Sequence, residues 1–166
     1  MKISDVLEVD LISNKIAGSD KEEVLNNMIE LVSKSPKVRD KEKIRDAIFN
    51  RERIMSTGVG KGFAIPHGKT DGITDMVAAF GITETEINFE SLDGEPVRLI
   101  FLLVGKENLV GPHLKLLSRI SRLLNKDDFR TKLLAAGSPQ EIQNLFESEE
   151  KSYFRSEEHT SELQSH

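Results

Sequence analysis

The sequence contains no cysteine, which excludes disulfides, thiol nucleophiles and cysteine-ligated zinc and fits a reducing compartment. Long apolar runs are missing too: the longest, Leu99 to Val104, is far too short for a bilayer span. The opening Met1-Lys2-Ile3-Ser4-Asp5 has no apolar signal-peptide stretch. Nor is there a basic excess. The 23 Lys and Arg stand against 28 Asp and Glu, a net charge of −5, which argues against a dedicated nucleic-acid binder. We find no internal repeat and no linker. These absences together describe a cytoplasmic domain with no nucleic-acid partner and no insertion into a membrane.

What is present suits one folded unit. The chain has 166 residues, the size of a single domain, with 37% hydrophobic and 31% charged residues. A chain this long buries roughly two-thirds of the surface its unfolded form exposes. The last twelve residues, Arg155 to His166, are polar and without period. They resemble the translation of a sequencing-adapter oligonucleotide, so the domain is expected over 1–154 and the tail over 155–166 to be non-native or disordered, with no packed structure. Without that tail only two histidines remain, His67 and His113.

Helical signals open the chain. Ser19-Asp20-Lys21-Glu22 reads as a capping box with Ser19 at the cap, followed by Val24, Leu25, Met28, Ile29, Leu31 and Val32 at helical spacing. After Ser35-Pro36, Asp40 caps a second helix carrying Ile44, Ala47 and Ile48. Leu11 to Ile16 reads as a short strand ahead of both. The middle of the chain changes period. Phe63-Ala64-Ile65, Met76 to Ile82 and Val97 to Val104 are buried-strand patterns, the last preceded by the turn Asp93-Gly94-Glu95-Pro96. From Gly111-Pro112 a third helix places His113, Leu117, Ile120 and Leu124 on one stripe. Asp127 caps a short helix over Phe129, Leu133 and Leu134, and Ser138-Pro139-Gln140-Glu141 is a capping box opening the last helix. Strands interleaved with helices predict an α/β domain, one sheet with helices on its faces.

Three familiar chemical signals fail on inspection. Gly68-Lys69-Thr70 ends like a phosphate-binding P-loop, but Phe63 stands where its first glycine belongs and Pro66 lacks the N–H a nest needs. Gly58, Gly60 and Gly62 are one residue short of a dinucleotide fingerprint and precede a strand rather than follow one. His67 and His113 lack a third ligand for metal. His67 itself remains, between Pro66 and Gly68 at the mouth of a strand. Neutral imidazole carries a lone pair near pH 7 and can attack phosphorus without a separate base. A lone histidine of this kind is more often a satisfied structural residue, and its neighbours decide against that.

Those neighbours are Glu52, six residues, then Val59, Gly60, Lys61, Gly62, Phe63, Ala64, Ile65, Pro66, His67 and Gly68. The run resembles the phosphorylation-site signature of the fructose/mannitol-type enzyme IIA of the bacterial phosphotransferase system (PTS), departing only in Phe63, where an aliphatic is usual. The resemblance extends over Met1 to Phe154, including Arg51-Glu52-Arg53 and the second histidine. It implies a single domain with a mixed β-sheet flanked by helices, like the mannitol-specific IIA. It implies that His67 accepts a phosphoryl group from the phosphocarrier HPr on its tele nitrogen. The group then passes to a IIB domain, often onto a cysteine, and so serves a IIC permease. By position, His113 and Arg51 match the family's phosphate-stabilising residues, and no cofactor or metal is required. Taken alone, Arg51 reads as a solvated arginine at a helix C-terminus and His113 as a core histidine. Ser56 and Thr57 are as well explained by turn chemistry. The nitrogen-regulatory branch, whose phosphorylation state is read out by binding to regulatory partners, shares the same residues and stands as the alternative to sugar uptake.

Overall fold

The computed structural model describes residues 1–164. In chain order these form α1 (Ile3–Val6), a 3-10 turn (Val9–Leu11), β1 (Ile12–Ile16), α2 (Lys21–Val32), α3 (Lys41–Ile54), β2 (Phe63–Ala64), β3 (His67–Thr70), β4 (Val77–Ile87), β5 (Val97–Lys106), α4 (Val110–Leu124), α5 (Asp127–Ala135) and α6 (Pro139–Gln164). The strands make one mixed five-stranded sheet. Its order is β1-β4-β5-β2, with β3 also on β5. β4 and β5 run antiparallel, while β1 on β4 and both β2 and β3 on β5 are parallel.

β2 and β3 are one edge strand interrupted once. Phe63 pairs with Leu99 and His67 with Leu103, so the register carries through unshifted. Pro66 has no N–H to give the ladder, and the Ile65 N–H turns away to the Thr57 carbonyl at 3.2 Å. His67 is the first residue after this break.

Helices cover both faces, and the two cores follow the period of two along β5. Leu99, Phe101 and Leu103 face α4, α5 and α6, in a core with Leu116, Ile120, Leu123, Phe129, Ile142 and Phe146. Ile100, Leu102 and Val104 face α2 and α3, packing with Val24, Met28, Ile29, Ile44 and Ile48. A strand buried on both sides needs an unbroken apolar run, which is what Leu99 to Val104 supplies.

Three local expectations are corrected. α2 is capped by Asp20, whose carboxylate accepts from the Glu23 N–H at 2.8 Å; Ser19 instead donates to the Glu23 side chain. The same residues fit a capping frame one position later, and the carboxylate is the better match to a positive helix end. Asp127 is the first helical residue of α5 rather than its cap, and its side chain pairs with Arg130. On α4, Leu117 is only partly buried while Leu116 and Leu123 are fully so. The one-turn α1, too short to show a period, is held from outside: buried Glu150 of α6 accepts from the Ile3 N–H at 2.6 Å and the Ser4 N–H at 3.3 Å. For the tail 155–166, the side chains beyond Arg155 and residues 165–166 lie outside what is described, while the α6 backbone stays helical to Gln164; Phe154 is the last core side chain among the described residues.

Candidate functional site

The site forms where β3 begins. Because paired residues of parallel strands share a face, His67 and Lys69 project on the side of Leu103 and Gly105, toward α4. His113, on the first turn of α4, lies over Gly105, where any Cβ would run into its Nδ1. The missing side chain therefore lets the second imidazole settle against the sheet. The ring centroids of His67 and His113 are 5.8 Å apart, tilted by 52°.

The two rings have different surroundings. His67 is half-buried, and its Nδ1 lies 2.9 Å from the Ile65 carbonyl oxygen. A carbonyl only accepts, so Nδ1 carries the proton and Nε2 keeps the free lone pair. Burial pushes the His67 pKa below the ordinary value of 6.5, opposed by the Ile65 carbonyl; the Arg51 cation lowers it further, Glu52 raises it and Lys69 lowers it. His113 is 3% exposed, and neither ring nitrogen has a hydrogen-bond partner among the described residues. Its pKa falls to about 4, through burial first and then the positive charges of His67 and Lys69. Both rings are neutral at pH 7. His67 offers a free Nε2 lone pair, and His113 has two ring nitrogens without a partner among the described residues.

Arg51 reaches the site from the other layer. It lies in the last turn of α3, with Nη1 donating to the Met55 carbonyl at 2.7 Å, and its charge is felt at His67. An arginine that closes the negative end of a helix also leaves most of its five donors for an anion. The structure thus brings His67 and His113 together from β3 and α4, with the Arg51 charge from α3 felt at His67. Ser56 and Thr57 do not join them: the Ser56 hydroxyl donates to the Phe89 carbonyl at 2.7 Å, and that of Thr57 donates to Glu52.

The connection from α3 to β2 is a pinned loop. Gly60, Lys61 and Gly62 all have positive φ, and the Asp93 carboxylate accepts from the Lys61 N–H at 3.0 Å. Exposed apolar side chains flank the site residues along the chain: Ile54, 80% exposed, and Met55 follow Arg51, and Leu109, Val110 and Leu114 adjoin His113. A groove of about 550 Å³ beside the end of α3 is lined by Lys21, Phe49, Glu52, Arg53 and Met55. No group of three or more acidic or histidine side chains among the described residues could hold a metal ion, and no described helix is long and apolar enough to cross a membrane.

Residues 5–149 match the family described as phosphoenolpyruvate-dependent sugar phosphotransferase system, EIIA 2. The chain belongs to that family. It is 37% identical over 151 residues to the PTS fructose-specific EIIABC component of Bacillus subtilis, an alignment that takes in 91% of this chain but only 24% of that longer protein. It is 34% identical over 147 residues to a nitrogen regulatory protein of Bradyrhizobium diazoefficiens, covering 87% of this chain and 94% of the relative. Among solved structures, the nitrogen regulatory protein IIA-Ntr of Neisseria meningitidis superposes with a TM-score of 0.81 at 30% identity, over 87% of this chain and 98% of that one. An EIIA 2 domain is the IIA phosphotransfer component of a PTS relay.

Within this EIIA 2 domain, three contributors escaped the sequence. Lys69 has a readable signal: two residues beyond His67 on a strand, it shares the histidine's face. The Ile65 carbonyl has none, since a backbone acceptor leaves no mark in composition, and the signature run that begins at Glu52 does not show that its carboxylate is buried on Thr57.

Proposed function

We propose that this IIA domain is a phosphohistidine relay in which Nε2 of His67, the tele nitrogen, accepts a phosphoryl group from phospho-HPr and passes it to a IIB domain. The observation that carries the reading is the Nδ1 contact to the Ile65 carbonyl, which leaves Nε2 as the nucleophile. The Nε2 lone pair attacks phosphorus, the N–P bond of HPr breaks, and its electron pair returns to the HPr imidazole. No proton is gained or lost in the exchange. In the second transfer a nucleophile of IIB attacks the same phosphorus and the pair returns to Nε2. The transition state spreads charge over the equatorial oxygens, so positive donors do most of the work. Arg51 supplies a planar fork for two of those oxygens, and the idle N–H of His113 is a donor for another. The exposed Ile54, Met55, Val110 and Leu114 next to Arg51 and His113 in the chain suit two protein partners covering the site in turn.

The sugar served is of the fructose type, delivered through a IIC permease with this domain in the cytoplasm. The EIIABC relative at 37% identity supports that destination. A second reading, phosphorylation-dependent binding to regulatory partners, is favoured by the nitrogen regulatory relative that this chain matches over nearly its full length. The active unit is residues 1–154, and truncation after Phe154 should leave labelling unchanged.

The test uses phosphoenolpyruvate, enzyme I and HPr, followed by intact mass and site mapping. One acid-labile phosphate on His67 is expected, and none on a folded His67→Ala variant. Retained labelling in that variant overturns the assignment. Discharge of the labelled protein to a fructose-type IIB separates uptake from regulation, and His113→Ala should slow that discharge while still accepting phosphate.

A further inference from the structure

Glu52 occupies a position that local energetics do not explain. It lies in the last turn of α3, where the helix dipole is negative and a carboxylate is disfavoured. It is also 7% exposed, and burying a carboxylate is costly unless donors surround it. Three donors do. Lys21 Nζ lies 2.9 Å from Oε2, the Thr57 N–H donates to the same oxygen at 3.0 Å, and the Thr57 hydroxyl donates to Oε1. The chain of contacts then continues toward the imidazole. The Thr57 carbonyl accepts from the Ile65 N–H at 3.2 Å, and the Ile65 carbonyl meets Nδ1 of His67 at 2.9 Å.

This chain of contacts holds an edge residue. The Pro66 carbonyl accepts from the Leu103 N–H at 3.0 Å, so the Ile65 groups one residue earlier face away from β5 and have no strand partner there. Thr57 takes that place, and Thr57 is itself fixed by Glu52. The loop 55–57 also carries the Met55 carbonyl that Arg51 grips, so one carboxylate fixes the turn joining Arg51 to the acceptor's backbone support.

We propose that Glu52 is a positioning residue for His67: through Thr57 and the Ile65 peptide, its buried carboxylate holds in place the carbonyl that decides which ring nitrogen is free. The inference rests on His67 being the phosphoryl acceptor. Its distinguishing consequence concerns tautomers, which can be read without any phosphoryl transfer.

The experiment compares wild type, Glu52→Gln, Glu52→Leu and Thr57→Val by ¹⁵N-detected NMR of the His67 ring and by the rate of labelling from phospho-HPr. Wild type should show the Nδ1–H tautomer. In Glu52→Leu, which keeps bulk but loses every acceptor, the ring should become a mixture of tautomers. Labelling should then slow by roughly tenfold or more, as expected for a misplaced reacting group, with the KM for phospho-HPr unchanged. Glu52→Gln keeps one acceptor of the same shape and should recover most of the rate. Thr57→Val, close in volume, removes only the hydroxyl and should move the tautomer ratio in the same direction by less, which keeps the test alive if Glu52→Leu does not fold. A folded Glu52→Leu, or failing that a Thr57→Val, with the wild-type tautomer and rate overturns the proposal. A wild-type ring in the Nδ1–H form that takes no phosphate overturns the relay reading instead and leaves the tautomer result standing.

Discussion

Acidifying the protein from pH 7.5 to 4.5 tests the burial of His113 directly. Its ring is 3% exposed and its pKa is pushed down to about 4, whereas an imidazole in the unfolded chain titrates near 6.5. Between those values the unfolded chain holds a proton that the folded chain refuses. Stability therefore rises with pH in that window and is lost as acid is added, beginning below about 6.5 and ending only below about 4. Linkage makes the loss at pH 4.5 about 2 to 3 kcal/mol for this one ring. His67 adds to it in the same direction, since its pKa is also lowered. His113→Leu removes the titration, along with two buried nitrogens that have no partner. Urea unfolding followed by far-UV circular dichroism is the suitable assay, because the chain has no tryptophan and a single tyrosine. Carboxylates titrate alike in both proteins and cancel in the comparison. Between the two pH values the variant should lose about 2 to 3 kcal/mol less than wild type. Equal losses would refute the reasoning, because His113 would then titrate in the folded protein as it does in water.

Three other outcomes are expected. Gly68→Ala brings a Cβ to 3.0 Å from the backbone of Ala47 in α3; overpacking there should cost about 1–3 kcal/mol in urea unfolding, and slower labelling should accompany it because α3 carries Arg51. Lys69→Glu should raise the pKa of both His67 and His113, since the lysine's charge lowers each; NMR titration curves that do not move would show that its charge fails to reach them. Phe146→Ala removes the ring that meets Phe80, Phe101 and Phe129 edge-on at 5.1, 5.5 and 5.1 Å, at a cost of about 3–5 kcal/mol by thermal or urea unfolding, while leaving the labelling site of the folded fraction unchanged.

Much of this domain was legible as pattern. The apolar run of β5, the 3.6-residue period of α2, the Asp40 cap and the proline that opens α6 are local signals, and each formed the element it announced. The run from Glu52 to Gly68 carried the resemblance to the family for the same reason: it is a fixed order of residue types along one stretch of chain. Capping frames were less secure. Ser19 and Asp20 are both competent caps, and the Asp20 carboxylate, the better match to a positive helix end, is the one that accepts from the Glu23 N–H.

The sequence by itself determined the alternation of strands and helices, the two buried faces of the central strand and the residue that carries the lone pair. Only the tertiary structure decided which ring nitrogen carries that lone pair, because Nδ1 of His67 lies against the Ile65 carbonyl and Nε2 does not. It also decided that His113 faces His67 across a glycine and stays neutral, a matter of burial and distance. Periodicity and motif order are written along the chain. Protonation and the pairing of distant side chains are set by the dielectric and the geometry of contacts that exist only once the layers have packed.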